Sequence, residues 1–178
     1  MKDPLIAVTR NDRKHGADDG TTSSEAAKYE QEDHQQALEV LAVETTFRVR
    51  YAETDQMGVV HHASYVVWLE EGRSQWMRAH GSSYAEFEKE GLLLVVSELC
   101  LWYKQPARYD QRVTVRCWVE SVRSRQVQFS YEVVDAETGA VFVNGYTRHI
   151  CLDREGQVAR IPNRWQGLLR QNAPEEAL

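Results

Sequence analysis

The chain has 178 residues, 42% of them hydrophobic and 27% charged, which fits one globular domain and excludes a disordered polymer or a pair of full-size domains. A formal charge of -6 excludes a nucleic-acid coat, because duplex binding needs a basic face to displace counterions. No apolar run approaches the ~18 residues of a membrane-spanning helix, and Met1 to Asp12 lacks the apolar block of a secretory signal, so the expected address is cytoplasmic.

Residues 1–44 carry ten acids and five bases, so this segment holds -5 of the net charge. It is poor in large apolar residues, and the run from Gly16 to Ser24 is small and polar, so it is expected to be a mobile extension to a domain spanning 45–178. Ser24 is placed to cap a short helix running toward Leu41, with Ala27, Leu38 and Leu41 as its thin apolar stripe. From Thr46 the period becomes two: Phe47, Val49 and Tyr51 alternate with Thr46, Arg48 and Arg50, which predicts a half-buried strand. Ser64 to His80 then reads as one long aromatic helix through Tyr65, Trp68, Leu69, Trp76 and Met77, stopped by Gly81. Val66 and Val67 widen its apolar girdle, which predicts burial on more than one side, as for a helix wrapped by a sheet.

A short helix around Tyr84 to Glu90 precedes four strand signals, Leu92 to Tyr103, Val113 to Ser121, Gln126 to Val134 and Ala140 to Leu152. Turn chemistry separates them, with Pro106 after the first and Asp135 to Gly139 before the last, so they are expected to be hairpin-linked. Pro162 opens a terminal helix through Arg170. The order predicts an α+β domain in which one helix lies against an antiparallel sheet. Cys100, Cys117 and Cys151 are odd in number and lie in apolar stretches, as reduced core thiols do.

The segment from Tyr51 to Tyr65, YAETDQMGVVHHASY, joins the first strand to the long helix and concentrates the chemistry. Asp55 is an acid in a loop, Gly58 permits a sharp turn, and His61 and His62 stand at the helix entrance beside its unpaired backbone N–H groups. Such N–H groups polarise a carbonyl or hold an oxyanion while a nearby carboxylate attacks it or activates water. The alternative reading of Asp55 is a turn residue bonded to its own backbone, and that of His62 is an imidazole that caps or packs. Adjacent histidines without a further ligand at helical spacing do not make a zinc site, and no metal is expected.

Asp55 to Tyr65, followed by Trp68-Leu69-Glu70-Glu71-Gly72-Arg73, resembles the signature of hotdog-fold acyl-CoA thioesterases of the 4-hydroxybenzoyl-CoA thioesterase type, and most of all the Tol-Pal-associated bacterial subfamily. Tyr103 to Asp110 is similar to the family's strand-ending Pro-Ala motif, and the resemblance runs from about Thr46 to Trp165. It implies a five-stranded antiparallel sheet around the long helix, a homodimer or homotetramer with active sites where sheets pair, and an acyl-CoA substrate hydrolysed without metal or redox cofactor. It also implies Asp55 as the catalytic acid and the His62 backbone N–H as the donor to the thioester carbonyl. Glu53 stands where relatives often carry a second Asp. Gly58, Val60 and Tyr65 belong to the same motif and are expected at the substrate site, and Arg123 and Arg125, in a turn between strands, are expected to meet the phosphates of coenzyme A, unless they are exposed hairpin charges.

Another branch of hotdog enzymes carries its acid on the helix, which makes Glu70 and Glu71 the competing candidates; the ordinary explanation for them is a Glu-Arg pair with Arg73. Acyl preference is left open, with 1,4-dihydroxy-2-naphthoyl-CoA or another aromatic thioester as the specific alternative. The rival of another class is a non-enzymatic acyl-thioester-binding module on the same fold, which would have no need of Asp55.

Overall fold

The computed structural model describes residues 42–171 and 173. The helix expected after Ser24 lies outside the described residues. The elements are β1 (Val43–Arg48), a 3-10 turn (Tyr51–Glu53), α1 (His62–Ala79), α2 (Tyr84–Lys89), β2 (Leu93–Tyr103), β3 (Arg112–Arg123), β4 (Gln126–Asp135), β5 (Val141–Leu152) and α3 (Asn163–Gln171). The sheet is antiparallel throughout, in the order β1-β3-β4-β5-β2, and α1 lies against β3 and β1. This is the α+β hotdog arrangement that the element order and the resemblance imply.

β1 begins at Val43, so the domain takes in two residues assigned by charge to the extension, and Glu44 pairs there with Arg116 of β3 at 2.8 Å. The alternation also ends early. Phe47 and Val49 face inward, but Tyr51 starts the 3-10 turn and is 78% exposed, because the turn breaks the period of two.

α1 buries Tyr65, Trp68, Leu69, Trp76 and Met77 along one stripe, as the helical spacing predicts. Burying the ~200 Å² of one indole at ~25 cal/mol per Å² contributes on the order of 5 kcal/mol before entropy is charged against it, so Trp68 and Trp76 dominate this interface. Gly72 allows the close approach: a Cβ there would lie 2.7 Å from Val115 Cγ1 of β3. The expected burial of Val66 and Val67 is not met within one chain. Both are exposed, since the sheet covers only the face of α1 that carries the large aromatic residues.

β2 and β3 are not a hairpin. β2 occupies the sheet edge beside β5, whereas β3 lies beside β1 with β4 and β5 between. Residues 104–111 therefore cross one end of the sheet, held where Lys104 N–H donates to the Phe142 carbonyl (2.8 Å), Val60 N–H to the Ala107 carbonyl (2.9 Å) and Asp110 N–H to the Val49 carbonyl (3.1 Å). The polar turn chemistry around Pro106 is compatible with either connection, and only long-range pairing decides between them. The three cysteines are free thiols; Cys117 and Cys151 are buried and Cys100 is half-buried.

Candidate active site

The segment between β1 and α1 is a tight loop closed by its own backbone. Thr54 and Val60 pair across it, Asp55 N–H donates to the Val59 carbonyl (2.9 Å), and Gly58 N–H donates back to the Asp55 carbonyl (2.9 Å). Gly58 holds a φ of 71°, which a residue without a Cβ adopts at little cost. The half-buried Asp55 accepts the Met57 N–H at Oδ1 (2.8 Å), so the turn-residue reading describes one of its oxygens. Oδ2 finds no partner among the described residues, and the same carboxylate thus anchors the turn and keeps one oxygen available.

At the helix entrance the two histidines divide the roles differently from expectation. It is His61, not His62, that caps: its Nδ1 accepts the Ala63 N–H (3.3 Å) and its carbonyl accepts the Ser64 N–H (2.9 Å). His61 takes an extended backbone (φ -62°, ψ 136°), which puts His62 in the first helical position. The His62 ring packs on that of His61 with centroids 4.1 Å apart, while its backbone N–H has no acceptor among the described residues. An unpaired N–H at the positive end of an eighteen-residue helix is a donor suited to a developing oxyanion.

Glu53 sits beneath this loop and is only 7% exposed. Its Oε1 accepts from Arg50 Nη2 (2.6 Å) and Nε (3.0 Å) and from the Trp68 indole N–H (2.8 Å), and its Oε2 accepts the Arg50 N–H (2.7 Å). Burial alone pushes this carboxyl up, but the Arg50 guanidinium, the Trp68 indole and the Arg50 backbone N–H outweigh it and hold the group below the usual carboxylate range. The sequence marked Glu53 only by comparison with relatives; the signal that could have found it is its spacing to Trp68, fifteen residues on.

A cleft of about 240 Å³ opens beside the helix entrance, lined by Val60, His62, Tyr65, Tyr103 and Pro106 among others. Val60 and Tyr65 form its floor, being 4% and 2% exposed. The Tyr65 hydroxyl is taken by the Ala107 N–H (3.0 Å), so this residue offers its ring rather than its oxygen. Tyr103 meets that ring edge-on at 5.6 Å and stands half-exposed at the mouth.

Other candidates lie elsewhere. Glu71 bonds to Gln75 (2.7 Å) and pairs with Arg78 (3.6 Å), and Glu70 borders an open groove between α1 and β1 with Phe47, Val67 and Trp68. The expected Glu-Arg pair is therefore not made with Arg73, which instead reaches inward to His149 (2.8 Å to Nδ1) and over the Tyr84 ring (4.7 Å), because its helical position faces the sheet. Arg123 and Arg125 are separated from Asp55 within one chain. β1 and β3 pair Arg48 with Arg112 next to the Asp55 loop, while Arg123 ends β3 eleven residues along, roughly 36 Å away at ~3.3 Å per residue.

The chain matches the Thioesterase-like superfamily over residues 49–170. The protein YneP of Bacillus subtilis (strain 168) is 37% identical over 107 residues, covering 60% of this chain and 77% of that one. The acyl-CoA thioester hydrolase YbgC of Escherichia coli O6:H1 is 36% identical over 90 residues, covering 51% of this chain and 67% of that one. Among solved structures, the DHNA-CoA thioesterase of Staphylococcus aureus superposes with a TM-score of 0.69 at 31% identity, covering 73% of this chain and 89% of that one.

Proposed function

The chain belongs to the thioesterase-like superfamily, and from that membership we propose that it hydrolyses an acyl-CoA thioester to a free acid and coenzyme A, with Asp55 as the reacting carboxylate. The observation that carries this reading is the pairing, across one short loop, of an Asp55 Oδ2 without a partner and a His62 N–H without an acceptor among the described residues. The thioester carbonyl oxygen takes the His62 N–H, and the negative charge that develops on that oxygen strengthens the bond as the carbonyl carbon becomes tetrahedral. In one course Oδ2 attacks the carbon, the C–S bond breaks, the thiolate leaves and takes a proton, and water opens the resulting mixed anhydride to restore Asp55. In the other Asp55 takes a proton from water as that water attacks the carbon, the C–S bond then breaks, and the departing thiolate takes up that proton.

An aromatic acyl group is a second reading, favoured by the edge-to-face Tyr65 and Tyr103 rings that flank the cleft. A hydrolysis screen of the purified protein over short, long and aromatic acyl-CoAs, with detection of the freed thiol, tests both. Turnover of aromatic thioesters above aliphatic ones supports the second reading, and absence of turnover throughout favours the binding module.

The reading extends to a homodimer built on β2. This edge strand is eleven residues long, pairs on one side only among the described residues, and exposes Leu93, Val95, Val96, Leu99, Trp102 and Tyr103. A long apolar edge of that kind is normally covered. Two copies pairing antiparallel about a two-fold axis would carry the partner's β3–β4 turn to the end of the sheet where Asp55 lies. In that assembly Arg123 and Arg125 reach coenzyme A phosphates from the neighbouring chain. Sedimentation of the wild type and of Leu99→Lys measures this: a dimer that the lysine dissociates is expected.

A further inference from the structure

We infer that Glu53 is the positioning residue of this site, holding the Asp55 carboxylate and the His62 N–H in register through bonds to both ends of the loop. The inference rests on the reading of Asp55 and His62 given above. The side chain of Glu53 ties the start of the loop to the body of the helix, since Oε1 accepts from Arg50 and from Trp68 two turns into α1. Its own carbonyl ties the start of the loop to its end, accepting the His61 N–H at 2.8 Å and the Ser64 hydroxyl at 3.0 Å. Thr54 and Asp55 follow Glu53 directly, and His62 follows His61. A shift of Glu53 therefore displaces the carboxylate and the oxyanion donor relative to each other.

The chemistry of the group also points to this role. Four N–H donors converge on its two side-chain oxygens. A carboxylate accepts all four, whereas the nearly isosteric amide would turn an NH₂ against at least one of them. The group is buried although the Arg50 side chain that pairs with it is 71% exposed, so the pair is not a free surface contact. A loop that only needed to be stable could close on its own backbone bonds between Asp55, Gly58 and Val59. The additional bonds to Trp68, His61 and Ser64 set where that closed loop stands against α1.

The test compares wild type with Glu53→Gln, with Trp68→Phe, which removes the indole N–H and keeps a buried ring, and with the double variant. All are assayed well below their melting temperatures. Steady-state kinetics on the acyl-CoA turned over best is read beside hydrogen exchange of the amides from 54 to 62, which reports loop geometry without activity. Exchange should rise in each variant, and kcat should fall by roughly 10- to 100-fold, the effect of a misplacement of about 1 Å. KM should change by less than about threefold, because the loop orients reacting atoms rather than binding the bulk of the substrate. The double variant should lose less than the product of the two single losses, since the two side chains share the Glu53–Trp68 bond. A kcat within about twofold of wild type despite faster exchange, or losses that multiply in the double variant, overturns the inference while leaving Asp55 as the reacting group. A wild type that hydrolyses no acyl-CoA overturns the functional reading and this inference with it, and is recognised before any variant is made.

Discussion

The Tyr103 hydroxyl, on the last residue of β2, donates to the His62 carbonyl at 3.1 Å, so the free edge of the sheet is bonded directly to the start of α1. A strand added along β2 by a second chain would thus arrive beside the cleft that holds His62 and Tyr65. This contact couples the proposed assembly to the proposed chemistry.

Asp55→Asn should fold as wild type, because the amide oxygen can still accept the Met57 N–H that now meets Oδ1. It should nevertheless lose roughly two to four decades of thioesterase activity, having neither a nucleophilic nor a basic oxygen. Glu71→Gln, at an exposed position whose side chain bonds to Gln75 and pairs with Arg78, is expected to remain near wild type in the same free-thiol assay. A larger loss at Glu71 than at Asp55 moves the acid to the helix.

His62→Ala keeps the backbone donor and should retain appreciable activity, whereas His62→Pro removes it and should be far less active. Proline suits this position sterically: His62 is the first helical residue, where proline is favoured, and His61 already has the extended backbone that a following proline requires. Rates are compared after circular dichroism shows matched melting. Equal inactivity in two folded variants would assign catalysis to the imidazole.

Stability should fall with acid in a window set by His149. This fully buried imidazole is pushed down to about 3, first by burial and next by the Arg73 charge, against an unfolded value near ~6.5. Between those values the unfolded chain binds the proton and the folded chain does not, so stability is complete above the upper value and is lost as pH falls toward the lower one. Glu53 adds in the same direction further down, its contribution disappearing as pH falls through its lowered value. Melting temperatures recorded from pH 7 to pH 4 should decline less steeply for His149→Gln than for wild type, and parallel curves would remove His149 as the cause.

A chain beginning at Ala42 should remain folded and active if residues 1–41 serve neither the core nor the chemistry, as their composition suggests. Cooperative unfolding and the rate on the preferred acyl-CoA are the measurements. Loss of either assigns that segment a place on the domain.

The local periods alone determined most elements, because each period is set by neighbours in the chain: the aromatic stripe from Tyr65 to Met77 marks the helix that runs from His62 to Ala79, and the strands begin and end within a few residues of where alternation does. The loop with Asp55, Gly58 and His62 was equally legible, since an acid, a glycine and a helix entrance stand within eight residues. Long-range packing decided the rest. It placed β2 at the far edge from β3, left Val66 and Val67 exposed in a single chain, and set Arg123 a strand's length from Asp55. It also turned Arg73 toward His149 and drew Glu53 beneath the loop to meet Trp68. Periodicity reports which side of an element is apolar, but not which distant residue that side will meet, and a buried carboxylate finds its donors only when the chain has closed around it.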